Sequence, residues 1–220
     1  MFRGSIARND LGSETMQVMK PIVYVVDDDI SVRESLEALI HEAGWRAGVF
    51  ASAHAFLLHP REACPRCLIL DVTLPDLNGL DLQDKIAAEK AEMPVIFITG
   101  YGDVPMTVRA MKAGAVEFLT KPFGDEALLS AIRGAIERSE IALSEAAQMR
   151  VLQERYAALS SREREVFALV ASGRLNKQVG GALGISEITV KAHRGRVMRK
   201  MEAASLADLV NIATKLGIPH

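Results

Sequence analysis

The sequence predicts a doubly wound α/β domain, a five-stranded parallel sheet covered by helices, followed by a small all-α domain. Three observations predict it. Five apolar runs of strand length alternate with helical patterns between residues 21 and 138. Helical periodicity then continues to the C-terminus with no further strand-like run. Charge divides the same way: residues 159–220 carry ten Lys/Arg against five Asp/Glu, while residues 1–158 carry sixteen against twenty-three. An acidic body with a basic C-terminal module points to a polyanion as that module's partner. A length of 220 residues accommodates two domains.

Residues 1–20 have no periodicity and are expected to form a mobile extension; Arg8, Asn9, Asp10 and Glu14 interrupt any signal-peptide core. The strand runs are Ile22–Val26, Ala47–Phe50, Leu68–Leu70, Val95–Ile98 and Ala115–Leu119. They read as apolar throughout, which a parallel sheet covered on both faces requires. Between the first two, Val32, Leu36, Leu39, Ile40 and Ala43 share one helical face, and Gly44 supplies the stop. Further helices are expected after Ser52, from about Leu80 to Glu89, over Val104–Ala113 with Asp103 as N-cap, and from Asp125 to about Ala158. In the last of these, Ile132, Ile136, Leu143, Leu152 and Tyr156 recur near heptad intervals, so a solvated linker and a helix paired with a second chain both fit. The expected organisation is a domain over 21–138, a helical linker over 139–158 and a second domain over 159–220.

In that second domain, Ser160 with Glu163 has capping-box spacing, and Gly173 ends the helix it opens. Asn176–Leu183 reads as a short helix, with Gly184 in the turn after it. Glu187–Met201 reads as a longer helix capped by Ser186, and a last helix follows Ser205. Gly180 and Gly181 are helix-interior glycines, each expected to cost about 0.5–1 kcal/mol.

The polar residues stand at the ends of strands. Asp27, Asp28 and Asp29 follow the first run, Asp71 the third, Thr99 the fourth and Lys121 the fifth. A parallel sheet gathers these ends on one edge, where α/β folds bind ligands. Clustered carboxylates repel and need a cation; hard oxygen donors suit Mg²⁺, with Mn²⁺ as the alternative. Such a site lets Asp71 attack phosphorus as a nucleophile, with Thr99 bonding one phosphoryl oxygen and Lys121 pairing with another.

Asp27-Asp28-Asp29, Leu70-Asp71-Val72-Thr73-Leu74-Pro75, Thr99-Gly100 and Lys121-Pro122-Phe123 resemble the receiver signature of bacterial two-component response regulators, over about residues 21–140. The resemblance implies a flavodoxin-like fold and phosphorylation of Asp71 by a sensor histidine kinase. It implies Mg²⁺ held by Asp27, Asp28, Asp71 and the backbone carbonyl of Thr73, with Asp29 outside the ligand set. It implies Thr99 and Phe118 as a switch pair, a cis Lys121–Pro122 bond, and a dimer contact on the fourth helix and fifth strand. Tyr101 departs from the family, which often has His there. Asp71-Val72-Thr73 also resembles the nucleophile loop of haloacid-dehalogenase-type phosphohydrolases; these place a second Asp where Thr73 stands, so an enzyme is not expected. Cys64-Pro65-Arg66-Cys67 has redox or zinc half-site spacing without a second half, and is expected to be an inert, partly buried pair.

Residues 159–216 resemble the LuxR-type helix-turn-helix of the nitrogen-fixation and nitrate regulator class. The match rests on Ser161-Arg162-Glu163-Arg164-Glu165-Val166, Asn176-Lys177-Gln178-Val179, Leu183-Gly184-Ile185-Ser186 and Thr189-Val190-Lys191 with His193-Arg194. Val190, Val197 and Met201 share one face of the longer helix; Ile188, Lys191, Ala192, Gly195 and Arg199 share the opposite one. That second stripe suits a major groove, with Lys191 at base edges and small Ala192 and Gly195 permitting close approach. Asn176, Lys177, Arg194 and Arg196 suit phosphates, Thr189 a phosphate or its own backbone, and His193 lies between the faces. The expected protein is a cytoplasmic transcription regulator without a membrane segment, binding promoter DNA as a phosphorylation-dependent homodimer. A DNA-binding regulator independent of phosphorylation is the alternative.

Overall fold

The computed structural model describes residues 20–60, 62–88, 93–100 and 104–218, and divides into units of residues 1–140 and 141–220. The expectations for residues 1–19, for Tyr101 and for the Asp103 cap lie outside the described residues.

In the first unit, β1 (Ile22–Val26), α1 (Ile30–Glu42), β2 (Arg46–Phe50), α2 (Ala53–Leu57), β3 (Arg66–Asp71), α3 (Gly79–Ala88), β4 (Val95–Thr99), α4 (Val104–Lys112), β5 (Glu117–Thr120) and the start of α5 (Asp125–Ala157) alternate as strand and helix. The sheet is parallel throughout, in the order β2-β1-β3-β4-β5. Period-two alternation sends Tyr24, Leu68 and Phe97 to one face, against α2, α3 and α4, and Val25, Ile69 and Ile98 to the other, against α1 and α5. β1 and β4 are buried throughout and β3 from Cys67 onward, whereas β2 and β5 are half-exposed edges, so the expectation of five strands apolar on both faces holds for the central three.

The fifth strand begins two residues later than the apolar run. Gly114, at φ +92, turns the chain at the end of α4, and Ala115 N returns to Ala110 O, so Ala115 belongs to the helix terminus. Conversely, β3 begins at Arg66, a charged residue the hydropathy pattern skips; its N–H donates to the buried Ser139 Oγ on α5 at 3.0 Å. Cys64 and Cys67 are both fully buried, not partly, and serve opposite faces of the sheet, so CxxC spacing does not make them partners. Burial pushes both thiols above the ordinary cysteine value, which keeps them protonated and unreactive.

In the second unit, α6 (Ser161–Ala171), α7 (Asn176–Leu183), α8 (Glu187–Lys200) and α9 (Leu206–Lys215) enclose a core of Val166, Phe167, Val170, Val179, Val190, Val197, Met201 and Leu209. The capping box is formed, with Ser160 Oγ accepting from Glu163 N and Glu163 accepting from Ser160 N. Glu163 does more than cap: Lys200 Nζ lies 2.7 Å from its carboxylate, reaching back from the end of α8. Lys200 and the cap donors hold the Glu163 carboxyl down at about 2. A depressed carboxyl stabilises the fold above its unfolded value and loses that contribution as pH falls. We therefore expect the unit to lose about 1–2 kcal/mol between pH 4.5 and 2, discounted for the half-exposed lysine. Urea titrations followed through the amide resonances of residues 159–218 check this; Glu163→Gln flattens the dependence.

The two glycines of α7 differ in role. A Cβ at 180 would lie 2.7 Å from Ile185 O, whereas one at 181 meets nothing within 4 Å. Gly180 is thus a packing requirement of the turn, not the simple helix penalty expected from sequence. Gly181→Ala is expected to stabilise the unit by about 0.5–1 kcal/mol and Gly180→Val to destabilise it by about 1–3 kcal/mol, read by the same titration. Among the described residues no helix is long and apolar enough to cross a membrane.

Candidate functional site

Strand register builds the first site. Val26 pairs with Leu70, so Asp27 and Asp71 leave adjacent strands side by side. Asp71 pairs with Ile98, Ile98 with Leu119 and Thr99 with Thr120, which brings Thr99 and Lys121 to the same edge. Asp27 and Thr99 are fully buried, Asp71 nearly so, and Asp28 is exposed. Carboxylate oxygens of Asp27, Asp28 and Asp71 lie within 4.8 Å of one another. Lys121 Nζ bridges the cluster, 2.7 Å from Asp27 Oδ2 and 2.7 Å from Asp71 Oδ2.

Burial raises the Asp27 carboxyl above its usual value, beyond what the Lys121 hydrogen bond offsets. Burial also opposes the Lys121 charge, but its bonds to Asp27 and Asp71 outweigh that and hold it above the ordinary lysine value. The donor set fits a hard divalent cation: three oxygen donors on one rim, the outermost facing solvent.

Backbone contacts fix the two buried aspartates. Asp27 Oδ1 accepts from Asp29 N at 2.9 Å, and Asp71 Oδ1 accepts from Thr73 N at 2.8 Å, leaving each Oδ2 toward Lys121. Asp29 turns away as the N-cap of α1, accepting from Ser31 N at 2.8 Å. Two supports escape the sequence reading. Arg33 Nη1 donates to Asp27 O at 2.6 Å. Gly79 lies so close to the Asp71 loop that a Cβ would approach Asp71 O to 2.5 Å; the Asn78-Gly79 pair was the available signal. The Lys121–Pro122 bond is cis. Phe118 is half-buried, its ring 6.2 Å from that of Phe97.

The second site lies on α7 and α8. Lys177, Ile188, Thr189, Lys191, Ala192, Gly195, Arg196 and Arg199 are exposed, while Asn176, His193 and Arg194 are half-buried. Val190, Val197 and Met201 face the core. Lys191 Nζ lies 3.3 Å from Glu187, one turn earlier. Thr189 Oγ1 bonds Ser186 Oγ at 2.8 Å, and Arg194 Nη1 donates to Asn176 Oδ1 at 3.2 Å, joining the two helices. His193 Nδ1 is buried with no hydrogen-bond partner among the described residues.

The family model for the response regulator receiver domain matches residues 23–133, and that for bacterial regulatory proteins of the luxR family matches residues 157–213. The chain is 48% identical to nodulation protein W of Bradyrhizobium diazoefficiens, over 94% of this chain and 91% of the relative. It is 45% identical to the response regulator protein TmoT of Ectopseudomonas mendocina, over 94% of each chain. Among solved structures it is similar to the response regulator StyR, with a TM-score of 0.80 and 44% identity, over 89% of this chain and 99% of the other. Acidic pocket, exposed basic helix and these matches agree: the chain belongs to the response regulators, as a transcription regulator built from a receiver domain and a LuxR-type DNA-binding domain.

Proposed function

We propose that Asp71 accepts a phosphoryl group from a sensor histidine kinase and that this modification drives dimerisation and promoter binding. Lys121 carries the reading: one ammonium 2.7 Å from two buried carboxylates marks a pocket built to hold opposite charges together. Asp27, Asp28, Asp71 and the Thr73 carbonyl would hold Mg²⁺, which when bound neutralises charge on the phosphoryl oxygens. With Oδ1 tied to Thr73 N, Asp71 presents Oδ2 to phosphorus; the O–P bond forms as the P–N bond of the phosphohistidine breaks. Lys121 then pairs with one phosphoryl oxygen and the Thr99 hydroxyl donates to another. As Thr99 moves inward, Phe118 rotates toward the space it leaves, repacking the α4–β5 face. Val104, Val108 and Met111 expose an apolar stripe on α4, which suits it to cover by a second chain.

The receiver is assigned to residues 21–138, a helical linker to 139–158 and the DNA-binding domain to 159–220. In the latter, Lys191 reads base edges, Ala192 and Gly195 admit the helix, and Lys177, Thr189, Arg196 and Arg199 face the duplex. Asn176, His193 and Arg194 set the seat of α8 and complete the phosphate contacts. Incubation with acetyl phosphate and Mg²⁺, followed by intact-mass measurement and peptide mapping, tests the proposal. One phosphoryl group on Asp71, not incorporated when the metal is chelated beforehand, is the expected result; no mass gain refutes it.

A further inference from the structure

We infer that Ile188 is a sequence-reading residue, contacting the 5-methyl group of a thymine in the major groove. This rests on the DNA-binding reading above and adds an apolar element to it. Ile188 is 80% exposed, the highest value among the exposed large hydrophobic residues described, and takes no part in the core of its unit. It is the second residue of α8, just after the Ser186 cap, and helical spacing puts Lys191 and Ala192 one turn behind it on the same exposed face.

The first turn of a recognition helix is the part that meets base edges in a helix-turn-helix, and its side chains lean toward the helix N-terminus. Ile188 therefore stands at the leading end of the stripe, ahead of Lys191. A branched aliphatic side chain has no hydrogen bond to offer a base or a phosphate. The thymine methyl is the apolar group on the major-groove edges, and apolar contact with it distinguishes T from C and from the purines. The neighbours agree: Ala192 and Gly195 keep the face close to the groove floor, and Lys191 supplies the adjacent polar contact.

The test uses the full chain and a random-sequence duplex pool. Wild-type protein and Ile188→Ala are each carried through selection for bound DNA, and affinities for the wild-type selected sequence are measured at one salt concentration. Each thymine of that sequence is then replaced by deoxyuridine, which removes only the methyl. Ile188 being exposed and outside the core, the variant should keep the wild-type melting temperature. We expect deoxyuridine at one position to weaken wild-type binding about five- to tenfold, as a mismatched contact does, and Ile188→Ala to bind both duplexes equally with relaxed selection at that position. The inference is overturned if Ile188→Ala selects the same sequence with the same deoxyuridine sensitivity, an outcome that leaves the DNA-binding reading standing. Wild-type protein that enriches no sequence and binds no duplex overturns both.

Discussion

Asp71→Asn should abolish phosphoryl incorporation from acetyl phosphate or a kinase while leaving the fold intact. The amide oxygen of asparagine can still accept from Thr73 N, so the loop after β3 keeps its anchor. The change removes the anionic Oδ2 that faces Lys121, and with it the nucleophile and one charge of the donor cluster. The backbone bonds at the strand end, Val72 N to Ile98 O and Gly79 N to Val72 O, do not involve the side chain. Intact-mass measurement should find no phosphorylated species, and the stimulation of DNA binding by acetyl phosphate should vanish. Retained incorporation in the variant would place the acceptor elsewhere.

The second large effect is on DNA. Lys191→Ala should weaken binding to a selected duplex about 5- to 150-fold at matched salt, the range set by loss of one base-edge contact. Among the described residues Lys191 makes only an exposed pair with Glu187 at 3.3 Å, so its removal should change folding stability by a few tenths of a kcal/mol at most. Affinity and stability thus separate in this variant. Titration by fluorescence anisotropy, with a parallel thermal melt, measures both, and unaltered affinity would contradict the placement of α8 in the groove.

What was legible in the sequence was whatever depends on periodicity and strand-end position. Strand β1 and helix α7 stand at their expected bounds, and Asp27, Asp28, Asp71, Thr99 and Lys121 converge because each closes or follows a strand. Local hydrogen bonding reads equally well, as at Ser160, Glu163, Ser186 and Ser205. Contacts that follow neither a periodic nor a capping pattern were not legible. Lys200 reaches Glu163 from a different helix, Arg33 reaches back to Asp27 O, and Ser139 satisfies the N–H of Arg66. Gly79 and Gly180 belong to the same class. Hydropathy registers only a missing side chain there, whereas the reason for it is a carbonyl 2.5 Å or 2.7 Å from where a Cβ would stand. Strand ends failed where a charged residue continued a ladder, at Arg66, or an apolar one ended a helix, at Ala115.

Sedimentation velocity of the full chain with Mg²⁺, with and without beryllofluoride as a phosphoryl mimic, tests the link between pocket and assembly most directly. Beryllofluoride should convert wild-type protein from monomer to dimer and leave Asp71→Asn unchanged. A wild-type sedimentation coefficient that beryllofluoride does not move, or an equal shift in the variant, would contradict control of assembly from the aspartate pocket.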